Sequence, residues 1–461
     1  MSLWTSAEIA AACGGTAQGD FAADGVTFDS REVVAGDLFI ALKGEATDGH
    51  RFVDKAKANG AAGLLVNDPV DAPHVRVADT MAALNALGAA ARDRSKALRI
   101  GVTGSVGKTG VKEAIKAALS RFAPDAVHAS VKSYNNHTGV PLSLARMPAD
   151  SRFGVFEMGM NHAGELAELT RLVRPDIAVV TWIASAHREF FASETDIARA
   201  KAEIFGGLPA GGTAIIPHDS AHADLLASAA TAAGAKVVRF GTGEGADVRA
   251  THVALHPDCS CVTARIGSET LTFKIGMAGS HWVNNALAVL AAVQAAGGDL
   301  ALAGLALADM NGLPGRGRRL RVSAGAGQAI IIDEAYNANP ASMAASLAVL
   351  RDVTPERHGR RLALLGSMKE LGALSDEFHA NLAPDVVAAG VTTAILVGAE
   401  MKPLAAALNR RMDVRHVADA KAALAELSPL IAADDVLLVK GSNSIGLAGV
   451  IDALAATEAT S

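Results

Sequence analysis

Cysteine is scarce. Cys13, Cys259 and Cys261 are the three in 461 residues, too few to build a disulfide framework. Cys259 and Cys261 stand one residue apart, which is not the ligand spacing of a zinc knuckle. There is no excess of basic residues either: the formal net charge is −6 and the pI is near 6.2. A general nucleic-acid binder would carry a basic stripe, so no nucleic-acid partner is expected. Long apolar runs are also missing. The longest, Ala286 to Ala296, contains Gln294 and is too short to span a bilayer. Met1 to Gly15 has neither the basic n-region nor the continuous apolar h-region of a secretory signal. These absences predict a cytoplasmic protein without a membrane span, expected to act as a monomer.

Half of the residues are hydrophobic and a fifth are charged, a globular composition at a length that calls for two or three domains. Short apolar runs alternate with helix-length segments, the α/β signature. The opening unit has strand-like runs at Leu38–Leu42, Gly63–Val66 and Val75–Ala78, followed by an alanine-rich helix from Thr80 to Arg94. A second unit has them at Leu98–Val102, Gly154–Met158, Ile177–Ile183, Thr213–Pro217 and Val237–Phe240. From Val248 to Ile275 polar and apolar residues alternate, which predicts an antiparallel extension. The turn-rich Asn311–Arg319 reads as a linker. A third unit follows, with strands at Ile330–Asp333, Leu362–Leu365, Ala394–Val397 and Val436–Val439.

The strongest local signal is Leu98-Arg-Ile-Gly-Val-Thr-Gly-Ser-Val-Gly-Lys-Thr109, an apolar strand, a glycine-rich turn and a helix start. In such a loop Gly104, Ser105, Val106 and Gly107 turn consecutive N–H groups onto phosphate oxygens, and the helix adds its positive end. Lys108 and Thr109 would then serve the phosphates and Mg²⁺. The strict G-x-x-x-x-G-K-[ST] pattern asks for glycine at 102, where this chain has Val102. The loop by itself says only that a nucleoside triphosphate binds; motor, GTPase, kinase and ligase all stay open. Glu157 closes the strand run of Phe156-Glu-Met-Gly-Met and is placed at a sheet edge where a carboxylate can hold Mg²⁺. His187 closes the next run and could reach the same crevice. Lys201, in the helical stretch Asp196–Phe205, reads from the residues alone as a lysine on a solvated helix face.

Taken together, these residues resemble the Mur ligase superfamily, the ATP-dependent amide ligases of peptidoglycan precursor synthesis. Thr103–Thr109, the Glu157 segment, Ala186-His187, Ile197–Lys201, Gly279–Ala286 and Pro314–Arg316 follow its order and spacing. The resemblance implies that Lys108, Glu157, His187 and Lys201 are catalytic. Thr109, Glu157, His187 and a carbamylated Lys201 would hold two Mg²⁺ ions. It further implies that Asn285 contacts adenine, that Arg316 reaches the phosphates, and that Asp333 and Asn337 complete the ATP site. Tyr134–Pro141, Asp333–Pro340, Leu365–Gly372 and Val439–Ser442 resemble the members that add D-alanyl-D-alanine to UDP-N-acetylmuramoyl-tripeptide. The Asp-Tyr-Ala-His-Thr-Pro and Asp-Asn-Pro-Arg stretches expected of the tripeptide-forming members do not occur. Phe28–Arg31, Gly36–Leu42 and Asp48–His50 look like a UDP-sugar-binding domain. Substrate contacts are thereby expected from Ser30, Arg31, Asp48, His50, Asn136, Thr138, Lys440 and Ser442. Three positions depart from the family pattern. Gly110-Val111 replaces a common Thr-Thr, Ser367 a common Asp and Asn443 a common Arg.

The resulting expectation is an α/β protein of three consecutive domains. Residues 1–95 would bind the UDP-sugar. Residues 96–313 would form a central P-loop ATPase-like parallel sheet for ATP and Mg²⁺. Residues 314–461 would form a Rossmann-like domain for the incoming dipeptide. Another superfamily ligase, of the folylpolyglutamate type, or a nucleotide-dependent binding switch would be the rival readings.

Overall fold

The computed structural model describes residues 2–44, 47–185 and 188–456. Near the N-terminus lies a five-stranded sheet with the spatial order Thr16–Gln18, His74–Arg76, Gly63–Val66, Asp37–Ile40 and Gly25–Thr27. All neighbours in it are parallel except the first pair. Helix Thr80–Arg94 starts where the Asp79 carboxylate accepts from the N–H groups of Met81 and Ala82. Its Ala83, Leu84, Leu87 and Ala91 pack into a core that also takes Leu142 and Ala145, from helix Gly139–Ala145 of the next unit. Gly88 permits that approach, because a Cβ there would lie 2.9 Å from the Pro141 carbonyl oxygen. Trp4 adds a hydrogen bond from Nε1 to the Ala145 carbonyl at 2.8 Å. The first unit is therefore packed on the second, not tethered to it.

The central sheet has nine strands. Val127–Ala129, Phe153–Glu157, Leu98–Thr103, Ile177–Val180, Thr213–Pro217 and Lys236–Gly241 run parallel in that spatial order. Val248–Leu255 joins its edge in parallel, and Ser260–Ile266 and Glu269–Ile275 pair antiparallel beyond it, the extension that the alternating pattern predicts. Its parallel strands are apolar on both sides because both faces are covered. Helices Lys108–Phe122 and Ser280–Ala295 lie on one side, and Glu165–Val173, Glu194–Ala202 and Ala223–Ala232 on the other. Each fully buried Leu, Ile or Val on such a face stabilises by about 1.5–3 kcal/mol, which sets the register firmly. The phosphate-loop strand is thus held in the middle of the sheet.

In the third sheet Arg318–Ala324 pairs antiparallel with Gly327–Glu334. Val436–Lys440, Arg361–Gly366, Thr393–Val397 and Asp413–Val417 then follow in parallel. Apolar cores cover both faces here too. Two differences from the sequence expectation stand out. The presumed linker runs directly into a strand at Arg318, and the run expected as Ile177–Ile183 is a strand only to Val180. The residues past Val180 leave the strand and hydrogen-bond to the phosphate loop instead. Among the described residues no helix is long and apolar enough to cross a membrane.

Candidate active site

The loop after strand Leu98–Thr103 is shaped by what lies beneath it. The Thr181 hydroxyl donates to the Val106 carbonyl at 2.5 Å. Ser105 donates through its backbone N–H to Trp182 and through its hydroxyl to the Ala184 carbonyl. Two glycines are required in it. Gly104, at φ 148°, would place a Cβ 2.0 Å from Thr181 Oγ1; Gly107, at φ 87°, would place one 2.7 Å from Asn285 Oδ1. Helix Lys108–Phe122 then begins without a side-chain cap. Its first-turn N–H groups are left for an anion in the cleft that Val106, Gly107, Lys108, Thr109 and Gly110 line. Lys108 lies over the loop, with Nζ 2.7 Å from the Gly104 carbonyl. Burial lowers its pKa, while the Glu157 charge works in the opposite direction.

Glu157 is 1% exposed at the end of its strand. One carboxylate oxygen accepts from the Thr109 hydroxyl and the other from Asn135 Nδ2, both at 2.7 Å. An ionised carboxylate has about four lone-pair sites, so these two bonds leave capacity for a cation. Among the described residues no three His, Cys, Asp or Glu side chains gather as a metal site of their own. A hard cation here would therefore draw on one carboxylate, one hydroxyl and phosphate oxygens. That is the way Mg²⁺ is held in phosphoryl-transfer sites, and the donor set fits it.

A second layer comes from the segment after Ala129. Wholly buried Lys112, one turn into the loop helix, donates to the Ser130 and Lys132 carbonyls at 2.6 and 3.0 Å. It thereby fixes Ser133 and Asn135 beside the loop. Ser133 Oγ lies 3.2 Å from Thr109 Oγ1 and accepts from Arg316 Nη2 at 2.9 Å. Arg316 also lies over the Tyr336 ring at 4.1 Å. Toward the first unit, Lys132 pairs with Glu32, which also accepts from the Tyr134 hydroxyl. All three units meet on this one segment. Removing the hydroxyl (Ser133→Ala) frees Arg316 from the metal side. The loss of one charge-assisted hydrogen bond predicts a fall in kcat/KM of roughly tenfold, with melting temperature unchanged; steady-state kinetics and a thermal melt check both.

The cleft has a volume of about 770 Å³. Of the residues singled out from the sequence, it brings together Ser105, Val106, Gly107, Lys108, Thr109, Glu157, Asn285, Arg316, Asn337 and Lys440. Lys440 Nζ donates to the Asn337 carbonyl at 3.0 Å and lies 3.7 Å from Glu334. Lys201 is not on a solvated face: it is 1% exposed, and burial, then the charge of Lys108, drives its pKa well below the ordinary lysine value. His187 lies outside the described residues.

Other expected residues have different work. The Asp333 carboxylate, 2% exposed, accepts from Gly315 N and Arg318 Nη2, and so fixes the linker rather than lining the cleft. Asn136 accepts from Thr138 and from Gly139 N, which caps helix Gly139–Ala145; its neighbour Asn135 is the one that reaches Glu157. Ser442 accepts from Lys369 N. Ser30 and Arg31 sit in the first unit, where Arg31 pairs with Asp29 at 2.6 Å. Asp48 accepts from His50 Nδ1 at 2.6 Å, and His50 Nε2 accepts from Asn67 N at 3.0 Å. With Nε2 accepting, the ring donates through Nδ1. Among the departures, Gly110 leaves room for Trp282, whose ring would lie 2.8 Å from a Cβ there. Ser133 was not singled out, and Asn135, Trp282 and Tyr336 entered only as members of Tyr134–Pro141, Gly279–Ala286 and Asp333–Pro340, because which residue of a stretch faces the cleft depends on tertiary contacts.

Three family profiles cover most of the chain. They are the Mur ligase middle domain over residues 102–293, the Mur ligase glutamate ligase domain over 318–443 and the Mur ligase family catalytic domain over 23–126. The chain is 36% identical over 440 residues to the UDP-N-acetylmuramoyl-tripeptide–D-alanyl-D-alanine ligase of Escherichia coli, covering 94% of each. The enzyme of the same name from Bacillus subtilis is 34% identical, over 93% of this chain and 92% of the relative. Among solved structures, MurF from Acinetobacter baumannii superposes with a TM-score of 0.83 at 30% identity, over 98% of both chains. MurF ligase from Thermotoga maritima in complex with ADP gives 0.74 at 25% identity, over 93% of this chain and 96% of that one. Profiles, relatives and solved structures thus agree over nearly the whole length, and the chain belongs to the Mur ligase family.

Proposed function

We propose that the chain is an ATP- and Mg²⁺-dependent, ADP-forming ligase that joins D-alanyl-D-alanine to the terminal carboxylate of UDP-N-acetylmuramoyl-tripeptide. One observation carries this furthest: a single cleft unites the phosphate loop and Glu157 with Arg316, Asn337 and Lys440 from beyond the central sheet. Relatives bearing this activity in their names align over nearly the whole length. We divide the chain at 95/96 and 313/314, a division supported by the three sheets, whose strands fall within 16–76, 98–275 and 318–440. The first domain holds the UDP-sugar through the Ser30–Arg31 and Asp48–His50 segments. We expect it to act as a monomer, and its ATP demand suits the cytoplasm.

A carboxylate resists attack by an amine because oxide is not a leaving group. The tripeptide carboxylate oxygen therefore attacks the γ-phosphorus of ATP, the bond to ADP breaks, and an acyl phosphate forms. The loop N–H groups and Lys108 stabilise charge on the transferring group as two anions approach. Thr109 and Glu157 would hold Mg²⁺, which would supply further neutralisation of phosphate charge. Arg316, anchored by Ser133, approaches the same phosphates from the opposite wall. The dipeptide amine then adds to the acyl carbon, giving a tetrahedral intermediate that expels phosphate and leaves the amide. Closure of the cleft by the third domain keeps water from the acyl phosphate. A carbamate on Lys201 would turn a buried cation into an oxygen ligand near Lys108.

The test is phosphate release from ATP with each UDP-tripeptide, carrying meso-diaminopimelate or L-lysine, in the presence and absence of D-alanyl-D-alanine. Release requiring all three substrates, with UDP-pentapeptide formed, is expected. Release that ignores the tripeptide would make the chain a nucleotide-dependent switch instead.

A further inference from the structure

At the carboxyl edge of the third sheet, strand Arg361–Gly366 leads into Ser367-Met-Lys-Glu-Leu-Gly372, and strand Thr393–Val397 leads to Glu400. Lys369 Nζ forms an ion pair with Glu400, and the other Glu400 oxygen accepts from the Ser367 hydroxyl at 2.9 Å. Gly398 makes that contact possible, since a Cβ there would lie 2.3 Å from Ser367 Oγ. The backbone on either side is pinned. Met368 N donates to His379 Nε2 at 2.9 Å, Lys369 N to Ser442 Oγ at 3.0 Å, and the Glu370 carbonyl accepts from Glu189 N at 3.0 Å. Lys369 and Glu400 nevertheless remain 42% and 35% exposed. An ion pair held this rigidly in the open does little for stability, which makes it a candidate for binding.

We propose that Lys369 receives the C-terminal carboxylate of the incoming dipeptide, and that Glu400 is the positioning residue that aims it. An ammonium has three donors, and Glu400 uses one. The dipeptide must bring its amine to the acyl phosphate, so its carboxylate is the charge left to anchor. Lys440 is already engaged by Asn337 and Glu334. The Lys369 segment adjoins the cleft, because Lys369 N is bonded to Ser442 Oγ, two residues past the cleft-lining Lys440. The pairing holds Glu400 ionised, with its carboxyl pulled down to about 2 by Lys369 and Ser367. The pair is therefore intact throughout the working pH range.

This inference rests on the proposed ligase reaction and deepens it. The experiment compares D-alanyl-D-alanine with D-alanyl-D-alaninamide, which lacks the carboxylate, at saturating ATP and UDP-tripeptide. The parent enzyme is expected to prefer the acid in kcat/KM by roughly tenfold to a hundredfold, the worth of one charge-assisted bond. Lys369→Met should raise the KM for the dipeptide by a similar factor and abolish the preference, while the KM values for ATP and UDP-tripeptide stay unchanged. Lys369→Arg should restore part of the preference, which a general folding defect would not allow. Glu400→Gln should raise the dipeptide KM and weaken the preference without abolishing it. A Lys369→Met enzyme that still prefers the acid overturns the receptor role, and an unchanged dipeptide KM in Glu400→Gln overturns the positioning role. A parent enzyme that ligates neither acceptor overturns the ligase reading itself.

Discussion

Replacing Lys108 by methionine is expected to slow ligation by on the order of 10³-fold, the cost of removing a preorganised charge from a transition state, without lowering the melting temperature. Methionine preserves most of the apolar stem, so the helix start and the packing around it survive. What is lost is the ammonium over the loop, 2.7 Å from the Gly104 carbonyl, where the γ-phosphoryl group must pass. The stability expectation follows from the direction of the pKa shift. Burial lowers the Lys108 pKa below that of the unfolded chain. The charged folded form therefore opposes stability at every pH below the folded pKa, and removing the amine relieves that cost. Activity and stability should thus part company. Single-turnover phosphoryl transfer together with a thermal melt would read both; activity within tenfold of the parent would exclude the assigned role.

The phosphate loop could be found from sequence because each of its requirements is local. An apolar strand, glycines at positive φ and a helix start are written in consecutive residues. Strands Gly63–Val66 and Thr213–Pro217 and helix Thr80–Arg94 were legible for the same reason. Strand Arg318–Ala324 was not: its arginines and the glycines before it read as a turn, and only pairing with Gly327–Glu334 makes it extended. Asp413–Val417, half-exposed at the sheet edge, likewise lacks the apolar run of its central neighbours. The site divides along the same line. Glu157 could be placed at a strand end, but which asparagine of Asn135-Asn136 reaches it depends on how helix Gly139–Ala145 is capped. Asp333 looked like a ligand-binding carboxylate, yet its partners are the linker residues Gly315 and Arg318. The meeting of all three units on the Lys132–Tyr134 segment is a tertiary product with no counterpart in any sequence window.

Lys201→Met is expected to abolish most activity, by roughly 10²–10³-fold if a charge-stabilising group is lost, while leaving the fold as stable as the parent's or more so. The residue is 1% exposed in helix Glu194–Ala202. A cation at that depth is costly unless it is paired or loses its charge. Burial and the nearby charge of Lys108 both favour the neutral amine, which is the form that adds CO₂. A carbamate so formed, with loss of a proton, would turn the neutral amine into a negative oxygen donor, the kind of group a hard cation prefers. It would also make the interaction with the charge of Lys108, which opposes an ammonium at Lys201, attractive. An unmodified Lys201 would make methionine nearly harmless, because removing a buried amine that does no chemistry relieves desolvation and little else. The two possibilities separate in a readout independent of turnover. Protein equilibrated with ¹³C-bicarbonate should show a carbamate carbon resonance that Lys201→Met lacks, and activity should decline in CO₂-depleted buffer and return when bicarbonate is added. A methionine variant of full activity, or a parent enzyme with no such resonance, would leave Lys201 as a buried helix lysine and the second metal position without its expected ligand.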